Sequence, residues 1–173
     1  MSHNIIIKVL ILGSESVAKS NFKKIADRYF SIDYKPAVGV NILSKTISVD
    51  LYGEEVKILI SLWDISNKSR FEEIRKIFYK GSVGALFVFN LSEISSWYNV
   101  IECYKEVESA IRNIPFLVIG NLQIPNKNQV KIPEINTWAE NHDGVFIQID
   151  PNDTTELEKA FKNLISKIMS IGK

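Results

Sequence analysis

The sequence predicts a single α/β domain over residues 1–173: a six-stranded, mostly parallel sheet with one antiparallel edge and helices on both faces. Three observations predict it. Strand-like and helix-like patterns alternate along the whole chain. The apolar runs Ile5–Leu12, Val83–Leu91 and Pro115–Gly120 are continuous rather than alternating, which is what a strand covered on both faces looks like. One pair of β-like runs, Asn41–Asp50 and Val56–Asp64, is joined only by Tyr52-Gly53-Glu54, short enough for a hairpin.

Each element has its own signal. After the first strand, Ser20–Phe30 places Phe22, Ile25, Ala26 and Tyr29 on one helical stripe. Behind the hairpin, Phe71–Tyr79 reads as a short helix. Ser95 or Ser96 can cap the next helix, whose stripe is Trp97, Val100, Ile101, Tyr104, Val107 and Ile111. Pro133–Asn141 carries proline in its first turn, where the missing N–H costs nothing. Gly144–Ile149 is the last strand. Asp153 with Glu156 resembles a capping box opening a helix through Leu157, Ala160, Leu164 and Ile168.

Composition narrows the class. Hydrophobic residues are 46% and charged residues 24%, ordinary for a soluble globular protein, and the net charge of +1 gives no global field for nucleic acid. Cys103 is the sole cysteine, so an internal disulfide is excluded and a reducing, cytoplasmic setting is expected. It lies in a helical stretch, where a buried structural role is expected. No apolar run reaches the roughly 18 residues of a membrane span. Met1–Asn4 offers no signal-peptide n-region, and Ile171-Gly172-Lys173 offers no cysteine for prenylation. The expectation is no lipid anchor in the chain and membrane contact only through a partner. His3 and His142 are scattered, without the neighbours a metal or a catalytic triad needs.

The residues that bear most on function are Gly13-Ser14-Glu15-Ser16-Val17-Ala18-Lys19-Ser20. They follow a buried strand, precede a helical pattern, and nearly match the phosphate-binding loop G-x-x-x-x-G-K-[ST]. Such a loop wraps backbone N–H groups around phosphate oxygens. Here the second glycine is Ala18, and a methyl group at a point of close approach takes up space a phosphate needs.

Taken together, the ordered segments resemble the Ras superfamily of small GTPases, the Rab branch above all, from about Lys8 to Ile168. Lys8-Val9-Leu10-Ile11-Leu12-Gly13 is similar to the first strand and loop, and Phe30-Ser31-Ile32-Asp33-Tyr34-Lys35-Pro36-Ala37-Val38-Gly39-Val40 to the first switch. Leu62-Trp63-Asp64-Ile65-Ser66-Asn67-Lys68-Ser69-Arg70-Phe71 is similar to the W-D-T-A-G-Q-E-R-F second switch. Phe78-Tyr79-Lys80-Gly81-Ser82 and Ser96-Trp97-Tyr98-Asn99-Val100 add to it. The resemblance implies the P-loop small G-protein fold, with a phosphate site at Gly13, Glu15, Ser16, Val17, Ala18, Lys19 and Ser20. It implies Mg²⁺ held at Ser20 and Asp64, and a base site at Phe30, Asn121, Leu122 and Ile124. It also implies a protein-contact surface at Val38, Val40, Ile42, Trp63, Phe71 and Tyr79.

The same comparison exposes departures. Glu15 puts a carboxylate near the terminal phosphate. Ala37 replaces the first-switch threonine, Asn67 the second-switch glycine that meets the γ-phosphate, and Lys68 the water-orienting glutamine, so no catalytic residue is assigned. Asn121-Leu122-Gln123-Ile124 stands where N-K-x-D is expected, and Ile124 cannot accept the guanine N–H pair. Gln148-Ile149-Asp150-Pro151-Asn152 replaces the E-T-S-A-K region behind the base. Three functions stay open: an interaction module of the pseudo-GTPase kind, in signalling or vesicle trafficking and working through its switch regions; a GTP/GDP switch with weak or GAP-dependent hydrolysis; and an NTP binder without guanine preference. Mg and GTP or GDP are expected to bind weakly if at all.

Overall fold

A computed structural model describes residues 4–13, 19, 22, 24, 31–32, 39–121, 127–150 and 152–171. Strand β1 (Asn4–Gly13) runs through the middle of the sheet. Strand β2 (Ser31–Ile32) is only two residues long. The hairpin strands β3 (Val40–Leu51) and β4 (Glu54–Ile65) are in register from Val40 opposite Ile65 to Leu51 opposite Glu54. The turn is thus the two residues Tyr52-Gly53, both at positive φ, the type that matches the strand twist. Strands β5 (Gly84–Asn90), β6 (Phe116–Asn121) and β7 (Val145–Ile149) follow. The order across the sheet is β2-β3-β4-β1-β5-β6-β7. All pairs from β4 to β7 are parallel, while β2–β3 and β3–β4 are antiparallel. The six long strands are those the sequence predicts; the short β2 is a seventh at the antiparallel edge.

Among the described residues the helices are α1 (Glu72–Tyr79), preceded by a 3₁₀ turn over Ser69–Phe71, α2 (Ile94–Ala110), α3 (Ile132–Asn141) and α4 (Thr155–Ile171). Of the helix expected over Ser20–Phe30, Phe22 and Lys24 are helical and the remainder lies outside the described residues. One core lies under α4, with Leu157, Phe161, Leu164 and Ile165 against Ile7, Val9, Ile11, Ile58, Ile60 and Leu62. The other lies under α2 and α3, with Trp97, Val100, Val107, Ile135 and Ala139 against Leu10, Leu12, Phe87 and Phe89. Every residue of β5 and β6 is buried, which is why their sequences do not alternate.

Two capping expectations change. Helix α2 begins at Ile94 with Glu93 as its N-cap and no side-chain cap bond, because Ser96 is spent elsewhere. Its Oγ accepts from the Asn90 N–H at 2.9 Å and donates to the Glu93 carbonyl at 2.7 Å, tying the end of β5 to the helix. Ser95 Oγ donates to Glu93 Oε1 at 2.8 Å. At α4, Asp153 Oδ1 accepts from the Thr155 N–H at 2.9 Å, and its hydrogen bond to Thr155 holds the Asp153 carboxyl below its ordinary range.

Since β2, β3 and β4 lie on one side of β1 and β5, β6 and β7 on the other, the carboxyl end of β1 is the point where the winding reverses. Ligand crevices of parallel α/β sheets open there.

Candidate functional site

Gly13 closes β1 at that crevice with φ +141°, and a Cβ on it would sit 2.0 Å from the Val88 carbonyl oxygen of β5. Only glycine allows the chain to leave the sheet this way. Beyond it, Lys19 is helical and 4% exposed. Its Nζ lies 2.7 Å from Asp64 Oδ1 on β4 and donates to the Ile65 carbonyl at 2.7 Å. The two side chains are 6% and 3% exposed, so the pair is closed off from water and each charge is neutralised by the other. Of the other phosphate and metal positions, Glu15, Ser16, Val17, Ala18 and Ser20 lie outside the described residues.

The segment after Asp64 is tied down from several directions. The Ser66 N–H donates to the Gly39 carbonyl at 2.8 Å. Gly39 has φ +82°, and the Phe71 ring lies against it, 3.3 Å from where a Cβ would be. Asn67 Nδ2 donates to Asn99 Oδ1 on α2 at 2.8 Å, and the Cys103 thiol lies 3.7 Å from both amide oxygens. Arg75 of α1 makes a two-pronged contact with Glu106 of α2, Nε to Oε1 at 2.8 Å and Nη2 to Oε2 at 2.9 Å. Its Nη1 reaches the carbonyls of Ser66 and Lys68 at 3.4 and 3.3 Å. Tyr79 donates its hydroxyl to Glu106 Oε1 at 2.8 Å. The hydrogen bond from Arg75 holds the Glu106 carboxyl below its ordinary value, while burial and then the Glu106 contact push the Tyr79 phenol up. Burial pushes the Cys103 thiol up to about 11.

On the far side, Asn121 ends β6 opposite Asn90 and is fully buried. Among the described residues, neither its Oδ1 nor its Nδ2 has a hydrogen-bond partner. It stands three strands from Asp64, about 14 Å across the sheet. Phe30, Leu122 and Ile124 lie outside the described residues.

The expected contact surface divides. Tyr79 is 1% exposed and Val40 3%, so both belong to the core rather than to an outer face. Trp63, Ile42 and Phe71 are half-buried, and Val38 lies outside the described residues. Phe78, outside the contact surface the resemblance implies, packs on Trp63 with ring centroids 6.0 Å apart. Lys8 Nζ sits 3.8 Å over the Trp63 ring and donates to the carbonyls of Phe78 and Lys80. Burial lowers the Lys8 pKa. Ile74 and Ile77 are exposed apolar residues on α1.

A family model described as the Ras family matches residues 8–170. The chain is 30% identical to Ras-related protein rab-11.1 of Caenorhabditis elegans over 169 residues, covering 96% of this chain and 78% of that protein. It is 28% identical to Ras-related protein Rab-11A of Dictyostelium discoideum over 172 residues, covering 98% of this chain and 78% of that protein. The chain belongs to the Ras family. Within that superfamily of small GTPases it falls in the Rab branch.

Family membership carries guanine-nucleotide and Mg²⁺ binding, effector proteins and membrane association as general properties of the group. Set on this Ras-family chain, the described geometry joins Lys19 to Asp64 and leaves Asn121 apart from both. Arg75, Asn99 and Glu106 were missed in the sequence because each looks like a solvated helix residue by itself. A faint signal exists. Arg75 and Tyr79 are four apart and share one face of α1, and Glu106 adjoins Val107, which belongs to the buried stripe of α2. No described helix is long and apolar enough to cross a membrane.

Proposed function

We propose that residues 1–173 form one Rab-like interaction domain of the pseudo-GTPase kind, which presents its switch surfaces to a protein partner without a cycle of GTP hydrolysis. The observation that carries this reading is the Lys19–Asp64 pair. The lysine that would hold the β- and γ-phosphates donates to the Ile65 carbonyl and lies in an ion pair with Asp64. To reach a phosphate it must give up a contact with a buried carboxylate and a bond to a carbonyl, which opposes binding before any ligand contact is made. The departures at Glu15, Ala18, Ala37, Asn67, Lys68 and Ile124 point the same way. These residues do not fit a hydrolytic Mg–GTP site.

What the chain's own residues do in this reading is hold a surface. Ile42, Trp63 and Phe78 form its apolar centre, and Lys8 lies over the Trp63 ring. A protein effector or complex partner docks there, on the cytoplasmic side of a membrane the partner itself contacts, in signalling or vesicle trafficking. Asn121 favours a second reading, a GTP/GDP switch with slow or GAP-dependent hydrolysis, because a buried amide with no partner among the described residues is suited to a nucleobase edge.

Thermal melting with 1 mM GTP and Mg²⁺, alongside a phosphate-release assay, tests the proposal. Stabilisation by RT ln(1 + [L]/Kd) stays below about 0.4 kcal/mol if Kd exceeds the ligand concentration, a shift of no more than about 2 °C. A shift of many degrees with sustained phosphate release would overturn it. Equal shifts from ATP and GTP would instead indicate an NTP binder without guanine preference.

A further inference from the structure

We infer that this chain carries its own anchor for the second switch: the Asn67 side chain, bonded to Asn99 and Cys103 of α2, fixes residues 66–71 in the absence of a nucleotide phosphate. In the family pattern this position is glycine, and its backbone N–H meets the γ-phosphate, so the loop is ordered only while the phosphate is present. Here the replacement does two things at once. It adds a side chain where glycine has none, and that side chain is spent on the body of the protein rather than on a ligand.

The geometry is specific. Asn67 Nδ2 donates to Asn99 Oδ1 at 2.8 Å. The Cys103 thiol, one turn further along α2 from Asn99, lies 3.7 Å from both amide oxygens and steadies the pair. On either side of Asn67, Arg75 takes the carbonyls of Ser66 and Lys68. The guanidinium is itself fixed to Glu106, so both contacts lead back to α2. Asn67 is therefore a positioning residue for the surface built on Trp63, Phe78 and α1. This deepens the proposed function and rests on it only in assuming that no phosphate does the anchoring.

Hydrogen exchange of the amides in 66–71, read by mass spectrometry on the full chain with and without 1 mM GTP·Mg, tests it. The wild-type segment exchanges slowly and at the same rate in both conditions. N67A speeds that exchange about five- to tenfold, the equivalent of one net hydrogen bond. N99A speeds it from the helix side, and the double variant is no faster than N67A alone, because N67A already removes the shared bond. N67G, which restores the family residue, loses the protection as well. Unchanged exchange in both single variants, or effects that simply add, would overturn the inference. So would wild-type exchange that slows on adding GTP. The two claims fail separately. Tight GTP binding with turnover, alongside a segment protected equally with and without nucleotide, sinks the pseudo-GTPase reading and keeps the anchor. No nucleotide binding with a fast-exchanging wild-type segment does the reverse.

Discussion

Replacing Arg75 with alanine removes the residue on which three parts of the structure converge. Its guanidinium makes two parallel bonds to Glu106 at 2.8 and 2.9 Å and reaches two carbonyls of the second switch. The side chains are 6% and 21% exposed for Arg75 and Glu106. Breaking a fully buried pair costs about 3–5 kcal/mol, most of it from the charge left behind. Glu106 keeps some access to water and the Tyr79 hydroxyl as a donor, so the lower end applies, about 3 kcal/mol. In a domain of this size each kcal/mol moves Tm by roughly 2–4 °C, so calorimetry should show a fall of about 6–12 °C. R75K retains the charge but not the fork and should fall between wild type and R75A. A decrease of under about 2 °C for R75A would put the pair with exposed surface ion pairs and refute its role as a brace.

Further outcomes follow from the same geometry. Glu106 has a folded-state pKa below its ordinary value of 4.5, so its contribution to stability is complete above that value and is lost as pH falls through the folded value. The urea midpoint of E106Q should therefore vary less than that of wild type across this acid range, and parallel curves would contradict the linkage. G13A places a methyl group 2.0 Å from the Val88 oxygen at φ +141°, and chemical denaturation should record a loss of at least about 3 kcal/mol. A loss within about 0.5 kcal/mol would mean the β1–β5 approach is looser than described. Cys103 is 5% exposed with its thiol raised to about 11, so a thiol reagent at pH 8 should react slowly with native protein and promptly after denaturation. Fast native labelling would show that the α1–α2 seam opens.

The fold was legible in the sequence because its signals are local and redundant. The apolar runs of β5 and β6 and the carboxyl half of β1 require cover on both faces, and Tyr52-Gly53 with matched strands leaves little choice but a hairpin. What escaped was set by tertiary contact. Ser96 looks like a cap, yet its hydroxyl bonds the end of β5, and nothing in the local sequence announces that competition. Tyr79 sits among aromatics that suggest an outer patch, but Glu106, 27 residues away, accepts its hydroxyl and draws it into the core. At the site, Lys19, Asp64 and Asn121 could be named from motif position alone. Their relations could not: that Lys19 closes on Asp64, while Asn121 is buried with no partner among the described residues, depends on side-chain directions that spacing does not encode. Asn67 was visible as a departure, and its bond to Asn99 became visible only once α2 was placed beside it.

The central claim is the proposed one, that a chain whose Lys19 lies against Asp64 does not retain a guanine nucleotide. Chromatography of the small molecules released by heating the purified protein, quantified per mole of chain, tests this directly. The account predicts far less than stoichiometric GDP or GTP. One mole of guanine nucleotide per mole of protein, retained through purification, would contradict it.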